Sequence, residues 1–153
     1  MLLTMIDKTN TIPIASDHGG FEMKEYLKKK LIEAGYNIKD MGTYSSDSVD
    51  YPDIIHPLAK SINAGEFRLG IILCGSGNGA QMTANKYANV RAGLCWTVEQ
   101  ASLIRRHNNA NIISIPGRFV EEKLALEMVM KFLTTDFEGG RHLTRVEKIS
   151  KIN

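Results

Sequence analysis

The chain has 153 residues, 43% apolar and 24% charged, with 19 basic against 17 acidic side chains and a formal net charge of +2. That length and composition suit one globular domain over residues 1–153, and the near-balance of charge excludes a polyanion-binding tail or a disordered acidic chain. The two cysteines, Cys74 and Cys95, are too few for a disulfide framework and lack metal-ligand spacing, and no apolar run approaches a membrane span. The expectation is a cytoplasmic protein with reduced thiols and no nucleic-acid or membrane partner.

Short apolar runs alternate with segments of helical period. Ile12 to Ala15 reads as a strand running into Ser16-Asp17-His18-Gly19-Gly20. Met23, Leu27, Leu31 and Ala34 then form the stripe of an amphipathic helix from Phe21, which Gly35 stops. Tyr36 to Asp40 reads as a second strand and Gly42 to Asp50 as a polar loop, after which Pro52 and Pro57 both suit a helix start. Leu69 to Cys74 is a continuous apolar run, expected of a strand covered on both faces. The turn Gly75-Ser76-Gly77-Asn78-Gly79 follows, with a helix expected from Ala80 to about Tyr87. Arg91 to Cys95 reads as strand four; Thr97, with Gln100 three residues on, opens a helix to about Asn108. Ile112 to Ile115 is strand five, Glu121 to Leu133 a helix, and Leu143, Val146 and Ile149 mark a last helix after Gly139-Gly140. Five strands alternating with helices argue for one parallel sheet with helices on both faces, an αβα sandwich. In such sheets ligands bind outside the carboxyl ends of the strands, where Asp17-His18, Cys74 to Gly79, Trp96-Thr97 and Pro116-Gly117-Arg118 fall.

Between a buried strand and a helix start, the three glycines of Gly75 to Gly79 let the backbone aim successive N–H groups at one point, a nest for a phosphate or an oxyanion. The same glycines also suit a tight turn of positive φ and nothing more. The spacing matches neither a dinucleotide fingerprint nor a phosphate loop ending in Lys-Ser/Thr. Cys74 precedes this nest, where the helix dipole favours a thiolate able to act as base or nucleophile; it equally suits a small core residue. Cys95, inside an apolar strand, reads as core. His107 ends a helix beside Asn108, positioned for proton transfer or for capping. Asp17 is a ligand group or an N-cap. Arg141 and Arg145, one turn apart, and Arg118 offer forks suited to a phosphate, although such a pair is also what a solvated helix face looks like.

Taken together these segments resemble the ribose-5-phosphate isomerase type B family, which includes the galactose-6-phosphate isomerase subunits. The matching pieces are Asp17 to Phe21, Val49 to Pro52, Leu73 to Gly79, Ala84 to Lys86, Arg91-Ala92, His107 to Asn111, Gly117-Arg118, and Gly139 to His142 with Arg145. The resemblance implies a Rossmann-like three-layer αβα sandwich with a five-stranded parallel sheet. It implies a homodimer, or a tetramer, with the active site shared between subunits and a helix from about residue 141 reaching the partner. It implies a phosphorylated sugar as substrate and no metal or cofactor. By likeness Cys74 is the base that moves a proton between C2 and C1; relatives without this Cys use a Glu in the following loop, a place held here by Ala80. Ser76 stands for the usual Thr, and His107 is the ring-opening acid and base. Asp17 and Asn108 hold sugar oxygens, Tyr51 lines the pocket, and Gly75, Gly77, Asn78 and Gly79 supply the oxyanion cradle. Arg141, Arg145, Arg118 and His18 meet the phosphate. Gly19 stands where Ala is frequent, and residues 1–10 are an extension without assigned role.

The expected reaction is interconversion of ribose 5-phosphate and ribulose 5-phosphate by ring opening and a cis-enediolate proton transfer. The alternatives are an isomerase of a six-carbon 6-phosphate such as allose or galactose 6-phosphate, and a non-catalytic phosphosugar-binding module. A Cys-nucleophile phosphatase is disfavoured because the nest lacks an Arg at its far end.

Overall fold

The computed structural model describes residues 7–152, so residues 1–6 of the N-terminal extension lie outside the described residues. The strands are β1 (Thr11–Ser16), β2 (Asn37–Asp40), β3 (Gly70–Cys74), β4 (Ala92–Leu94) and β5 (Ile112–Pro116). The helices are α1 (Phe21–Glu33), α2 (Tyr51–Asn63), α3 (Asn78–Ala84), α4 (Val98–Arg106), α5 (Glu122–Leu133) and α6 (Arg141–Lys148). All neighbouring strands pair in parallel, in the order β2-β1-β3-β5-β4, giving the expected Rossmann-like α/β sheet.

The alternation of side chains along each strand divides the core into two layers. Ile12, Ile14, Ile71, Leu73, Ile113 and Ile115 face the cluster formed with α1, α4 and α5. Ala15, Ile72, Cys74 and Ile112 face the other, built with α2 and α3. Every residue of β3 and β5 is buried, as a strand covered on both faces requires, whereas the edge strand β2 is half open. Gly35, at φ +92°, ends α1: its N–H donates to Ile32 O and that of Tyr36 to Leu31 O, the paired bonds of a left-handed C-terminal stop.

Several boundaries differ from expectation by one to three residues. The third helix begins two residues earlier, because Gly77 adopts φ +77° and serves as its cap position. It ends at Ala84 because the Asn85 side chain leaves the helix to pair both ways with the Ala92 backbone, at 2.8 and 3.0 Å. Strand four is shorter, since Arg91 N donates to the Asn111 side chain at 2.8 Å instead of entering the ladder. Only Pro52 stands at the start of α2; Pro57 lies within the helix.

One polar cluster is built into the body. Lys24 of α1 is fully buried, and its Nζ donates to both Asp40 oxygens at 2.7 and 2.8 Å and to Glu25 at 2.9 Å; Lys28 adds a bond to Asp40 at 2.7 Å. Gly42 N donates to Asp40 at 3.0 Å, and Gly42 O and Thr43 N in turn bond the backbone N–H and carbonyl of Ser16, next to Asp17. Burial pushes the Asp40 carboxyl up, but the hydrogen bonds from Lys24, Lys28 and Gly42 together outweigh it and leave it below the ordinary carboxylate value. A folded-state value below the unfolded one contributes stability that is fully present above the unfolded value and is lost as pH falls through the folded one. Asp40→Asn is therefore expected to cost about 3 kcal/mol at neutral pH, since it strips a buried ammonium of its main partner. The gap between variant and wild type, followed by urea unfolding, should close as pH falls below roughly 4. A gap that stays constant down to acid pH would mean that the charge of Asp40 does not stabilise the fold.

Candidate active site

Because β1, β3 and β5 are adjacent in the sheet, the turns leaving their carboxyl ends lie side by side. Their approach is close enough to need glycine: a Cβ on Gly19 would lie 3.0 Å from Gly75 N, and one on Gly117 would lie 3.2 Å from the Gly20 Cα. Asp17 is buried, and its Oδ1 accepts from Gly19 N at 2.9 Å and Gly20 N at 3.2 Å, so it is an N-cap; its second oxygen takes no part in the cap. His18 Nδ1 accepts from Val49 N at 3.2 Å, which places the ring hydrogen on Nε2 as a donor. The Arg118 guanidinium lies over both turns, 3.3 Å from where a Gly19 Cβ would stand and 3.2 Å from where a Gly75 Cβ would stand.

Cys74 ends β3, 4% exposed, and its Sγ accepts the Gly77 N–H at 3.1 Å. That bond points the positive end of the Gly77 N–H dipole at the sulfur. Gly77 makes it possible by its positive φ, and a Cβ there would collide with Leu94 Cδ1 at 2.5 Å. The Gly77 carbonyl is held from below by Ser114 Oγ at 2.7 Å. The N–H groups of Gly75 and Ser76 donate to no backbone carbonyl and are free to meet an oxyanion. Ser76 is half-buried with its Oγ accepting from Asn78 N at 3.3 Å, and Asn78 is exposed. Tyr51, 40% exposed at the head of α2, covers Gly79: a Cβ on Gly79 would lie 2.6 Å from its ring. Trp96, from the end of β4, packs on Phe119 with ring centres 5.6 Å apart at the rim of these turns. Cys95 is fully buried, and desolvation pushes its thiol up to about 12, out of reach of chemistry at neutral pH.

His107, Asn108, Arg141 and Arg145 stand elsewhere. Helix α4 runs back from the carboxyl edge of the sheet, so the turn after it lies at the amino edge, one strand length or roughly 16 Å away. Asn109 takes the left-handed conformation at φ 46°, leaving the exposed Asn108 side chain unused by the turn. Buried Arg105 fastens this turn by donating to Asn109 Oδ1, Ala110 O and Thr135 O. Desolvation above all, with Arg68 and Arg91 adding to it, brings its guanidinium down to about 10. The His107 ring stacks on His142 with centroids 4.3 Å apart and an interplanar angle of 12°. Glu138 joins them, its Oε2 3.6 Å from His142 Nε2 and its Oε1 2.6 Å from Arg106 Nη2. A depression beside this pair is lined by His107, Asn108, His142, Arg145, Val146 and Ile149, while another beside the strand ends is lined by His18, Gly19, Ser46 and Arg118.

The ligand atoms of His107, Glu138 and His142 lie within 4.8 Å of one another. The stacked rings keep their lone pairs in parallel planes, so one ring would have to turn before both met a single cation. No local motif marks Ser114, a lone hydroxyl in an apolar strand, or Glu138, which precedes the two glycines that lead into α6. No helix among the described residues is long and apolar enough to cross a membrane.

A family model described as Ribose/Galactose Isomerase matches residues 12–149. The ribose-5-phosphate isomerase B of Escherichia coli K12 is 39% identical over 141 residues, covering 92% of this chain and 95% of its own length. The crystal structure of a ribose 5-phosphate isomerase from Thermotoga maritima superposes with a TM-score of 0.92 at 46% identity, covering 94% of this chain and 99% of its own. A ribose-5-phosphate isomerase B from Mycoplasma genitalium, solved with bound ribulose-5-phosphate, has a TM-score of 0.89 at 37% identity, covering 94% and 95%.

Proposed function

The chain belongs to the ribose/galactose isomerase family, and on that premise we propose that it is a type B ribose-5-phosphate isomerase. It interconverts ribose 5-phosphate and ribulose 5-phosphate in the pentose phosphate pathway, as one cytoplasmic isomerase domain. The observation that carries the assignment is Cys74 Sγ, seated at the end of β3 with the Gly77 N–H on it at 3.1 Å, beside the free amides of Gly75 and Ser76.

His107 moves the proton from the anomeric hydroxyl to the ring oxygen and so opens the sugar; an imidazole can give and take a proton near neutral pH. The Cys74 thiolate removes the C2 proton of the open aldehyde, becoming a thiol. The charge that appears on the enediolate oxygen meets the free backbone N–H groups of Gly75 and Ser76, and one such donor is worth about 2.7–4 kcal/mol. Ser76 carries a proton from O2 to O1, and the Cys74 thiol returns its proton to C1, giving the ketose and restoring the thiolate. Asp17, through the oxygen its cap leaves free, and Asn108 hold sugar hydroxyls, and Tyr51 walls the pocket. His18 Nε2–H, Arg118, Arg141 and Arg145 hold the phosphate, whose binding energy orients the reacting carbons.

Cys74 and His107 lie at opposite edges of one sheet, so one chain holds two halves of different sites. We infer that the working unit is a homodimer in which the amino-edge group of one copy (His107, Asn108, Arg141 and Arg145) closes over the Cys74 turn of the other.

Initial isomerisation rates on ribose 5-phosphate, allose 6-phosphate and galactose 6-phosphate, with no added metal, test the assignment. The expected order puts ribose 5-phosphate first in kcat/KM. Turnover of a six-carbon ester alone would move the substrate within the family, and turnover of none would leave a phosphosugar-binding module.

A further inference from the structure

Helix α6 carries Arg141 and Arg145 exposed to solvent, and its only buried side chain is that of His142. Eight residues are too few for a helix to stand by itself in water, so its register depends on what that one side chain grips. It grips His107: the two rings lie 4.3 Å apart and nearly parallel. The segment leading into α6 is clamped to the same turn, with Glu138 N donating to Arg106 O at 3.0 Å and Arg106 Nε donating to Glu138 Oε1 at 2.7 Å. Gly139 and Gly140, at φ +69° and +55°, then turn the chain so that Glu138 Oε2 faces His142 Nε2, an atom with no hydrogen-bond partner.

We propose that His142 is a positioning residue, a flat buried plate that sets the ring of His107 and the register of Arg141 and Arg145 together, so that sugar opening and phosphate binding stay aligned. The proposal rests on the reading of His107 as the ring-opening group. The charged neighbours fit a neutral plate. Burial is the largest influence and holds the His142 imidazole below its ordinary value; His107, Arg141 and Arg145 act the same way, and only Glu138, itself engaged by Arg106, opposes them. A neutral His142 does not compete with His107 for the proton being moved. Its Nε2 is turned to Glu138, so it does not itself deliver a proton to substrate.

The test compares His142→Ala, which removes the plate, with His142→Phe, which keeps a flat ring without a titratable nitrogen. Steady-state kinetics are run in both directions. The Ala variant is expected to raise KM for both sugars about tenfold, and to lower kcat from cyclic ribose 5-phosphate more than from ribulose 5-phosphate. The Phe variant should restore both constants to within about threefold of wild type. If the Ala variant does not fold, His142→Leu, which fills the space without a flat ring, takes its place. Normal kinetics in the Ala or Leu variant, or equal damage in the Phe variant, overturns the proposal. A wild-type enzyme that does not isomerise either sugar would instead overturn the underlying assignment, which keeps the two failures apart.

Discussion

Cys74→Ala is expected to lower kcat on ribose 5-phosphate by about 10³-fold or more, with KM changed less than about threefold. The side chain is small and 4% exposed, and the substitution leaves β3 and the glycine turn with their backbone contacts to β5. What it removes is the acceptor of the Gly77 N–H and, on the proposed mechanism, the only group placed to take the C2 proton. Cys74→Ser sharpens the result, because its hydroxyl can accept the same N–H yet is far too weak a base at neutral pH. Both variants should therefore be equally inactive while binding ribulose 5-phosphate about as tightly as wild type. Cys95 provides the internal control: it is fully buried with its thiol pushed up to about 12, so Cys95→Ala should keep turnover, and a thiol reagent should label Cys74 first. Wild-type turnover in Cys74→Ala would remove the sulfur from the chemistry.

The elements that carry the carboxyl-edge group were legible because their signals are local. A run of buried aliphatics followed by Gly75-Ser76-Gly77 specifies strand then turn within ten residues, and Asp17 before two glycines specifies a cap in three. What escaped detection depends on long-range pairing. Ser114 supports Gly77 from 37 positions away, and Arg106 reaches Glu138 across 32. Lys24 shares a helix face with Leu27 and Leu31, three and seven residues on, but nothing local names its partner: it is fully buried because Asp40 at the end of β2 comes to meet it. His142 fell within a segment that matches the family, but its role was not legible for the same reason: its meaning lies in the ring it stacks on. The end of α3 was missed because Asn85, a residue neutral in a helix, found better partners in the Ala92 backbone than in the next turn. The proposed division of the site between two edges was implied by the family resemblance, and the alternation of strand and helix agrees with it, because a group at the end of a helix that leaves a strand's carboxyl end returns to the amino edge.

That division makes the second large effect a gain of activity. Cys74→Ala spoils only the carboxyl-edge half of the chain that carries it, and His107→Asn spoils only the amino-edge half. In a homodimer of either variant, every site contains one lesion. When the two inactive proteins are unfolded together, mixed in equal amounts and refolded, half of the dimers should be mixed. In a mixed dimer one site collects both lesions and the other receives two intact halves, so about a quarter of all sites should work. Activity should appear on mixing and reach roughly that fraction of wild type. The control pairs Cys74→Ala with Asp17→Asn, two lesions on the same edge: each mixed dimer then has one in each site, and no rescue is expected. Rescue in the first mixture but not the second can arise only if each site draws its two edges from different chains. If neither mixture gains activity although mixed dimers form, the sulfur and the imidazole belong to separate functions, and the shared site is wrong.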